Sequence, residues 1–452
     1  MRSASASPLN RQVPAAEAAA DAIVDGELDA IFAALGTASR VALAVSGGAD
    51  SLALLDCFDR WRRKRGHPDG IVLSVDHRLR AGSAEEAALV ARAAAARGLP
   101  ARVLVWEGPR PESALEAAAR SARYRLMLSA TREASASHLL LAHHRDDQAE
   151  TFLMRLAAGS GVFGLAAMRH VVSAGDVTIV RPFLDYPRAR LAATTAAAGL
   201  RPVEDPMNAD ARFLRARLRR IIPLLAENGL YPAEIAAAAG RLAGAADAIE
   251  AAADRAIAAA VQFDGLAISW LDRAMFFGES GEVRRRALTR LLQAIGGEPY
   301  PPRTAKLNAL DDAMGKAGGR FKRTLAGTVI ERRGLGYALY RESGRAGLPE
   351  LPAKGPSRFV WDHRFEITIG EGMPLDVMVG ALGEHGRRDI KAPEPLAPAG
   401  AVAALPAFRR AGEIAAVPSL SWRRADASDL AIAARPLVAE RSMTPPRFPD
   451  TG

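Results

Sequence analysis

Two serines, two glycines and an aspartate directly follow a short apolar run, Val41–Val45. They form the segment Ser46-Gly47-Gly48-Ala49-Asp50-Ser51, ahead of a helical pattern that begins at Leu52. Two glycines let the backbone turn sharply and approach an anion with no Cβ in the way. The amide groups that open the following helix attract the same anion. This pattern predicts a phosphate-binding loop that includes all six residues, with Asp50 as a ligand of Mg²⁺, an ion that prefers oxygen.

A plain helix cap is the alternative interpretation of this loop, because serine and aspartate are good N-caps. The loop differs from a Walker loop, since it lacks Gly-Lys-Ser/Thr, and from the dinucleotide fingerprint, since it lacks a third glycine. The placement of the whole segment after an apolar strand favours phosphate binding.

Three further stretches carry polar residues at predicted strand ends or helix starts. They are Ser74-Val-Asp76-His77, Ala119-Arg120-Ser-Ala-Arg123-Tyr124 and Leu141-Ala-His143-His144-Arg-Asp146-Asp147-Gln148-Ala-Glu150-Thr151. Taken singly, their carboxylates suit helix caps or first helical turns, and two arginines one turn apart suit a solvated face. The adjacent histidines lack the cysteine or spaced third ligand of a zinc site. Together, these stretches supply carboxylates for a metal or an amine, imidazoles for phosphate, and arginines for a leaving pyrophosphate.

A basic segment follows, Arg212-Phe-Leu-Arg215-Ala-Arg217-Leu-Arg219-Arg220, with five arginines among nine residues. On a helix these arginines do not all share one face, so some of them are expected to be solvated. We predict that the segment contacts nucleic-acid phosphates. A second basic run, 60–65, suits the C-terminal end of a helix.

Short apolar runs alternate with helical patterns through the first half of the chain. The runs are Val41–Val45, Ile71–Val75, Ala101–Trp106, His138–Ala142 and Val177–Val180, and the helical patterns cover 51–65, 84–98, 112–135 and 188–199. Apolar strands that alternate with helices are typical of parallel βαβ units with right-handed crossovers. The pattern predicts a doubly wound α/β domain, which binds ligands at the carboxyl ends of its strands.

We expect four regions along the chain. Residues 1–37 form a leader and an N-terminal helix over 15–34, residues 38–225 the catalytic α/β domain, residues 226–320 an α-helical domain, and residues 321–452 a small mixed α/β region that is partly irregular. The helical domain is expected to contain helices over 232–263 and 283–315. The last region is expected to contain strands at Thr324–Glu331, Tyr337–Arg341 and Phe359–Thr368.

The composition limits the class of protein. The chain has 452 residues, a 49% hydrophobic fraction and no apolar run near the roughly 18 residues that cross a bilayer, so we expect no membrane span. A net charge of +9 favours phosphate-rich partners. The single Cys57 cannot form an intrachain disulfide, and the opening residues carry no secretory pattern. We therefore expect a cytoplasmic protein.

The segment Ser-Gly-Gly-x-Asp-Ser resembles the signature of the PP-loop ATP pyrophosphatases, a Rossmann-like fold. With the three polar stretches, residues 38–225 resemble the tRNA(Ile)-lysidine synthetase family. The likeness extends through Arg181-Pro-Phe-Leu and Glu204-Asp205-Pro206 into the basic segment. Two positions depart from the family pattern: Arg78 replaces a common glycine, and Ala216 replaces a usual asparagine.

This resemblance implies a reaction with ATP and Mg²⁺ in two steps. ATP adenylates the C2 oxygen of the wobble cytidine in a CAU-anticodon tRNA(Ile), and the amine of L-lysine then attacks C2 and expels AMP. The resemblance places the loop residues, Asp76 and His77 around the nucleotide, and Asp50 on Mg²⁺. It places Arg120 or Arg123 against charge on the phosphates or the activated base, and His143 near the adenylate. Asp147, or less favourably Asp146, would hold the lysine.

Two other functions stay open at this point. Another PP-loop enzyme that adenylates a small-molecule acid, such as a GMP or NAD synthetase, shares the loop. A non-catalytic tRNA-binding protein with a decayed nucleotide site would share the fold. The oligomeric state is open as well, a homodimer being one option.

Overall fold

The computed structural model describes residues 21–76, 83–106, 115–203, 214–298, 300–344, 347–390 and 397–443. The chain divides into two compact units, with the division between Ala246 and Asp247. Within the described ranges, no helix is both long and apolar enough to span a membrane.

The first unit contains a six-stranded sheet in the order β3-β2-β1-β4-β6-β5. Its strands are β1 (Arg40–Ala44), β2 (Asp69–Asp76), β3 (Ala101–Val105), β4 (His138–Leu140), β5 (Val171–Ala174) and β6 (Val177–Val180). Neighbouring strands from β3 to β6 are parallel, and β5 pairs antiparallel with β6 at the edge. The predicted doubly wound parallel sheet is confirmed.

Helices accompany this sheet: α1 (Leu28–Ile31), α2 (Ala49–Arg65), α3 (Ser83–Ala95), α4 (Leu115–Glu133), α5 (Arg145–Ala157), α6 (Val162–Leu165), α7 (Arg188–Ala197) and α8 (Leu214–Glu227). Alternate residues of β1 enter two different cores. Val41 and Leu43 pack in the core that contains Leu55 of α2, whereas Ala42 packs in the core that contains Met127 of α4. Because the central strand is buried on both faces, functional side chains gather at its carboxyl end.

The helix predicted over 15–34 is wrong for the described residues. From Asp25 the chain forms a 3-10 turn (Asp25–Glu27), the single-turn α1 and a second 3-10 turn (Ala33–Leu35). Tertiary packing overrides helical periodicity here. The ring of Phe32 is fully buried, with its centroid 6.0 Å from that of Phe58 and 5.0 Å from that of Trp61.

The second unit contains three antiparallel sheets, in the orders β7-β8-β11-β10-β9, β12-β15-β16-β17-β18 and β13-β14-β19. Their strands are β7 (Val261–Phe263), β8 (Ser269–Asp272), β9 (Lys322–Leu325), β10 (Thr328–Arg333), β11 (Gly336–Arg341), β12 (Leu351–Pro352), β13 (Ser357–Trp361), β14 (Phe365–Ile369), β15 (Val377–Ala381), β16 (Pro406–Arg410), β17 (Glu413–Val417), β18 (Trp422–Arg423) and β19 (Ile432–Pro436). The remaining helices of the chain are α9 (Pro232–Ala260), α10 (Arg273–Gly278), α11 (Gly281–Gly296), α12 (Thr304–Lys316), α13 (Gly383–Asp389), α14 (Ala399–Ala403) and α15 (Val438–Met443).

Two segments of this unit that were predicted as single strands are hairpins in the structure. The segment Thr324–Glu331 turns at Ala326 and Gly327, and Phe359–Thr368 turns at Asp362 and His363, all four residues having positive φ. One apolar core contains Leu291 of α11 and Ile330 of β10, so it joins residues on both sides of the boundary predicted near 320.

Candidate active site at the carboxyl ends of the parallel strands

The loop between β1 and α2 has the backbone form that an anion cradle requires. Gly47 adopts a φ of +87°, a conformation that favours glycine, and its carbonyl accepts a hydrogen bond from the Val203 amide at 2.9 Å. The Ser51 hydroxyl oxygen accepts a hydrogen bond from the Ser46 amide at 3.2 Å and donates to the Gly48 carbonyl at 2.9 Å. Ser46 and Ser51, which the sequence analysis assigned to the loop, therefore hold the loop in shape.

The N-terminus of α2 has no side-chain cap. Gly48 occupies the N-cap position, and neither Ser46 nor Asp50 accepts a capping hydrogen bond there. The capping interpretation of this segment therefore does not fit the structure. Backbone amides and the positive end of the helix dipole remain available to an anion at this point.

Asp50, in the first turn of α2, faces the start of α5. Its Oδ2 atom lies 3.5 Å from Nε2 of His144, which lies 3.4 Å from Oδ2 of Asp147. The other oxygen of Asp50, Oδ1, is buried and makes no hydrogen bond within the described part of the chain. An unpartnered carboxylate oxygen beside an anion cradle is a suitable ligand for Mg²⁺.

His144 lies at the centre of the candidate site, although our sequence analysis did not assign it a role. Its Nδ1 accepts a hydrogen bond from the Asp147 amide at 3.3 Å, and its own amide donates to Asp147 Oδ2 at 3.2 Å, which forms a capping box at the start of α5. Burial lowers the pKa of His144, but Asp147 and Asp50 outweigh it and raise the pKa above its usual value. The three-residue spacing from a polar N-cap to an aspartate is the signal that could have identified it.

Asp147 is ionised under ordinary conditions in spite of its burial. Burial acts to raise the pKa of its carboxyl, whereas the charges of His144 and Arg215 lower it, with a net result of about 2. Its Oδ1 lies 3.8 Å from an Nη2 atom of both Arg215 and Arg219. Asp147 is therefore the central anion of a buried, mainly cationic group.

Asp146 has a different environment, although it is adjacent in sequence. Its Oδ2 accepts a hydrogen bond from the Arg188 amide at 2.9 Å, at the start of α7, and its side chain is 31% exposed. Asp146 thus links α5 to α7.

Arg120, Arg123 and His143 lie together in a poorly solvated region. Burial lowers the pKa of Arg120 to about 10 and lowers that of Arg123, and the charge of Arg215 acts on both. The guanidinium of Arg120 lies 5.5 Å above the ring of Tyr124. Burial also holds the pKa of His143 well below its usual value, so this imidazole is neutral. The expectation that Arg120 and Arg123 form a solvated face does not fit this burial.

The stretch that begins at Ser74 supplies two further predicted residues, Asp76 and His77. Asp76 is the last residue of β2 and is partly exposed, at the same sheet edge as the loop. His77 lies outside the described residues.

The basic segment divides into two faces on α8. Arg215 donates through Nε to Oε2 of Glu150 at 2.8 Å, and Arg219 donates through Nε to Oε1 of Glu150 at 2.7 Å. Glu150 is nearly fully buried on α5, so these two arginines hold α8 against α5. Arg217 and Arg220 are exposed, and Arg212 lies outside the described residues. The sequence analysis missed the role of Glu150.

The assembled site offers an amide cradle for phosphate, two aspartates joined by a histidine, and several buried cations. Such a set can stabilise the negative charge that develops on a leaving pyrophosphate.

Comparison with known proteins points to the same chemistry. Residues 21–225 match a family model described as a PP-loop domain. The chain is 43% identical to the tRNA(Ile)-lysidine synthase of Rhodopseudomonas palustris, over 70% of this chain and 94% of that protein. It is 44% identical to the tRNA(Ile)-lysidine synthase of Methylobacterium nodulans, over 69% of this chain and 92% of that protein. It is 42% identical to the protein of the same name from Bradyrhizobium diazoefficiens, over 73% of this chain and 94% of that protein.

Proposed function

This chain belongs to the tRNA(Ile)-lysidine synthase family, and from that membership we propose that it forms lysidine on tRNA(Ile). The reaction joins L-lysine to C2 of the wobble cytidine in the CAU anticodon, with ATP as the activating substrate. The observation that carries the proposal is the arrangement of Asp50, His144 and Asp147 beside the glycine loop. This arrangement supports the proposal because it would suit ATP at the loop and a cationic substrate at Asp147. We place the activity in the cytoplasm, where tRNA is available.

In the first step the C2 oxygen of the cytidine attacks the α-phosphate of ATP, and pyrophosphate leaves. The amides of Gly48, Ala49 and Asp50, with the hydroxyl of Ser46, would bind the phosphates at the start of α2. Asp50 would hold Mg²⁺ through its buried Oδ1, and the bound ion would neutralise charge on the departing pyrophosphate. Arg120 and Arg123 would stabilise the charge of the adenylate.

In the second step the amine of lysine attacks C2, and AMP leaves with the oxygen that was adenylated. The attacking amine must be in its deprotonated form, and His143, whose imidazole is neutral, would lie near the adenylate and hydrogen-bond to it. Asp147 is our choice for holding the substrate's second ammonium group, since its carboxylate is ionised and only 10% exposed. Asp146 is the alternative, although it already accepts the Arg188 amide.

The exposed face of α8 is our candidate for contact with tRNA. Arg217 and Arg220 present their side chains to solvent, whereas Arg215 and Arg219 pair with Glu150. Solvent-exposed cations can replace counterions on a phosphate backbone, which is the main sequence-independent term in such binding.

The decisive experiment is incubation of the protein with ATP, Mg²⁺, radiolabelled lysine and total tRNA. We expect label at the anticodon that resists mild base, unlike an aminoacyl ester. Omission of ATP and replacement of Asp50 by alanine are the controls, and both should abolish incorporation. Release of AMP that depends on a small acid in place of tRNA would favour the GMP- or NAD-synthetase alternative. Binding of tRNA without release of AMP would favour a non-catalytic protein.

A further inference from the structure

Arg181 directly follows β6, at the sheet edge that carries the candidate active site. Strand β6 is parallel to β4, and β4 is parallel to β1, so Arg181 lies on the same edge as His143 and the glycine loop. The Leu141 amide donates to the Val180 carbonyl at 2.9 Å, which keeps the two strand ends in register as far as these residues.

The Arg181 side chain is fully buried and mostly unpaired. Its Nη1 donates to the Arg169 carbonyl at 2.8 Å. Its Nε and Nη2 atoms are buried, and neither makes a hydrogen bond within the residues that the structure describes. A buried guanidinium that uses one nitrogen of three is costly for the fold, because desolvation is not repaid by partners.

Positive charges around Arg181 increase the free-energy cost of burying its guanidinium. The positive charge of Arg181 acts on His143 and on Arg120, and Arg215 acts on both of them as well. Two carboxylates of the described site are engaged elsewhere: Glu150 accepts from Arg215 and Arg219, and Asp147 contacts His144. Several buried cationic side chains therefore lie close to one another in this part of the protein.

Two further polar atoms share the region and also lack partners among the described residues. They are Nδ1 of His143 and the hydroxyl of Tyr124, both buried. Several buried polar atoms that lack partners among the described residues, beside clustered positive charge, are features of an anion site, because one phosphate group can accept hydrogen bonds from several of them.

We propose that Arg181 and His143 bind a phosphate group of a substrate, as a second phosphate contact beside the glycine loop. The proposal rests on the proposed function in one respect: the proposed function identifies ATP and tRNA as the substrates that carry phosphate. The guanidinium uses the fork of Nε and Nη2, whose geometry suits two oxygens of one phosphate. The bond from Nη1 to the Arg169 carbonyl fixes the orientation of that fork.

The test measures two affinities separately, without lysine and without turnover. ATP with Mg²⁺ is titrated in the absence of tRNA, and tRNA is titrated in the absence of ATP at several salt concentrations. The variants are Arg181→Gln, which removes the charge, and Arg181→Lys, which keeps the charge but loses the fork. Arg102→Gln is the matched control, because it removes one arginine of the same unit that is half exposed and paired with Glu133.

We expect Arg181→Gln to weaken one of the two affinities by about ten- to a hundredfold, and Arg181→Lys to weaken it by less. A loss confined to ATP identifies the nucleotide as the source of the phosphate. A loss confined to tRNA, with a salt slope shallower by about one, identifies a backbone phosphate. Arg102→Gln should leave both affinities unchanged.

Unchanged affinities in a folded Arg181→Gln protein would overturn the proposal. The melting temperature without ligand gives a second readout: relief of an unpaired charge predicts a value equal to or above that of the wild type. If Arg181→Gln does not fold, Arg181→Lys decides, and wild-type affinity for both ligands then overturns the proposal. Neither result depends on whether lysidine is formed, so a failure here is distinct from a failure of the proposed function.

Discussion

Replacement of Asp147 by asparagine separates substrate binding from structural support at this site. The change keeps the shape of the side chain and removes its charge. If Asp147 holds the lysine ammonium, a charge-assisted hydrogen bond worth roughly 1.5–3 kcal/mol is lost, so KM for lysine should rise about ten- to a hundredfold. Adenylation precedes the attack of lysine, so the adenylated tRNA should accumulate in a single-turnover assay.

The lowered pKa of Asp147 also gives the size of its contribution to the free energy of folding. The Asp147 pKa of about 2 lies below the ordinary value of 3.8, and this difference corresponds to about 2 kcal/mol of folding free energy. Because the pKa is lowered on folding, this stability is present above pH 3.8 and is lost as the pH falls towards 2. Asp147→Asn should therefore unfold more easily at neutral pH, and the difference from the wild type should shrink in acid.

Two measurements on one variant distinguish the roles. Asp146→Asn is the matched control, since Asp146 is its neighbour and bonds to the Arg188 amide instead. We expect the control to leave lysine KM near the wild-type value. A lower melting temperature for Asp147→Asn with an unchanged lysine KM would remove Asp147 from the lysine site. Loss of adenylation itself would assign Asp147 to metal binding.

Three further results follow from the same contacts. Asp50→Ala should abolish release of AMP while the melting temperature and tRNA affinity stay close to wild type; turnover at saturating Mg²⁺ would contradict the metal assignment. Glu150→Gln leaves two partly buried arginines without their anion, so chemical denaturation should show a loss of about 2–3 kcal/mol, and a loss under 0.5 kcal/mol would argue against the pairing. Replacement of Arg217 and Arg220 by glutamine should weaken tRNA binding and reduce its salt slope by about two, with ATP affinity unchanged; an unchanged slope would show that this face does not contact tRNA.

The parallel sheet and its loop could be predicted because both depend on local pattern. The apolar side chains of Val41 and Leu43 lie on one face of β1, and that of Ala42 lies on the other. Such a continuous apolar run predicts a strand that is buried on both faces. The glycines after it predict the turn. The shared edge at the carboxyl ends of the parallel strands then follows from the rules for βαβ units.

Partners that are distant in sequence could not be predicted in this way. Glu150 and Arg215 are 65 positions apart, and nothing local shows that one neutralises the other. The same limitation applies to Phe32, whose packing against Phe58 and Trp61 replaces the predicted helix by short turns. Thr324–Glu331 fails for a different reason: two strands joined by the two-residue turn Ala326–Gly327 have the same β propensity as one long strand.

Helix α5 connects the two groups of residues that the proposed reaction needs. His144, which caps its N-terminus, contacts both Asp50 and Asp147, and one turn after Asp147, Glu150 binds the arginines of α8. Arg219 contacts both Glu150 and Asp147, at 2.7 and 3.8 Å. An ammonium group that approaches Asp147 therefore competes with the guanidinium of Arg219, which Glu150 can retain. If Asp147 holds the lysine, as we propose, Glu150 would keep Arg219 in place when the ammonium group displaces it from Asp147.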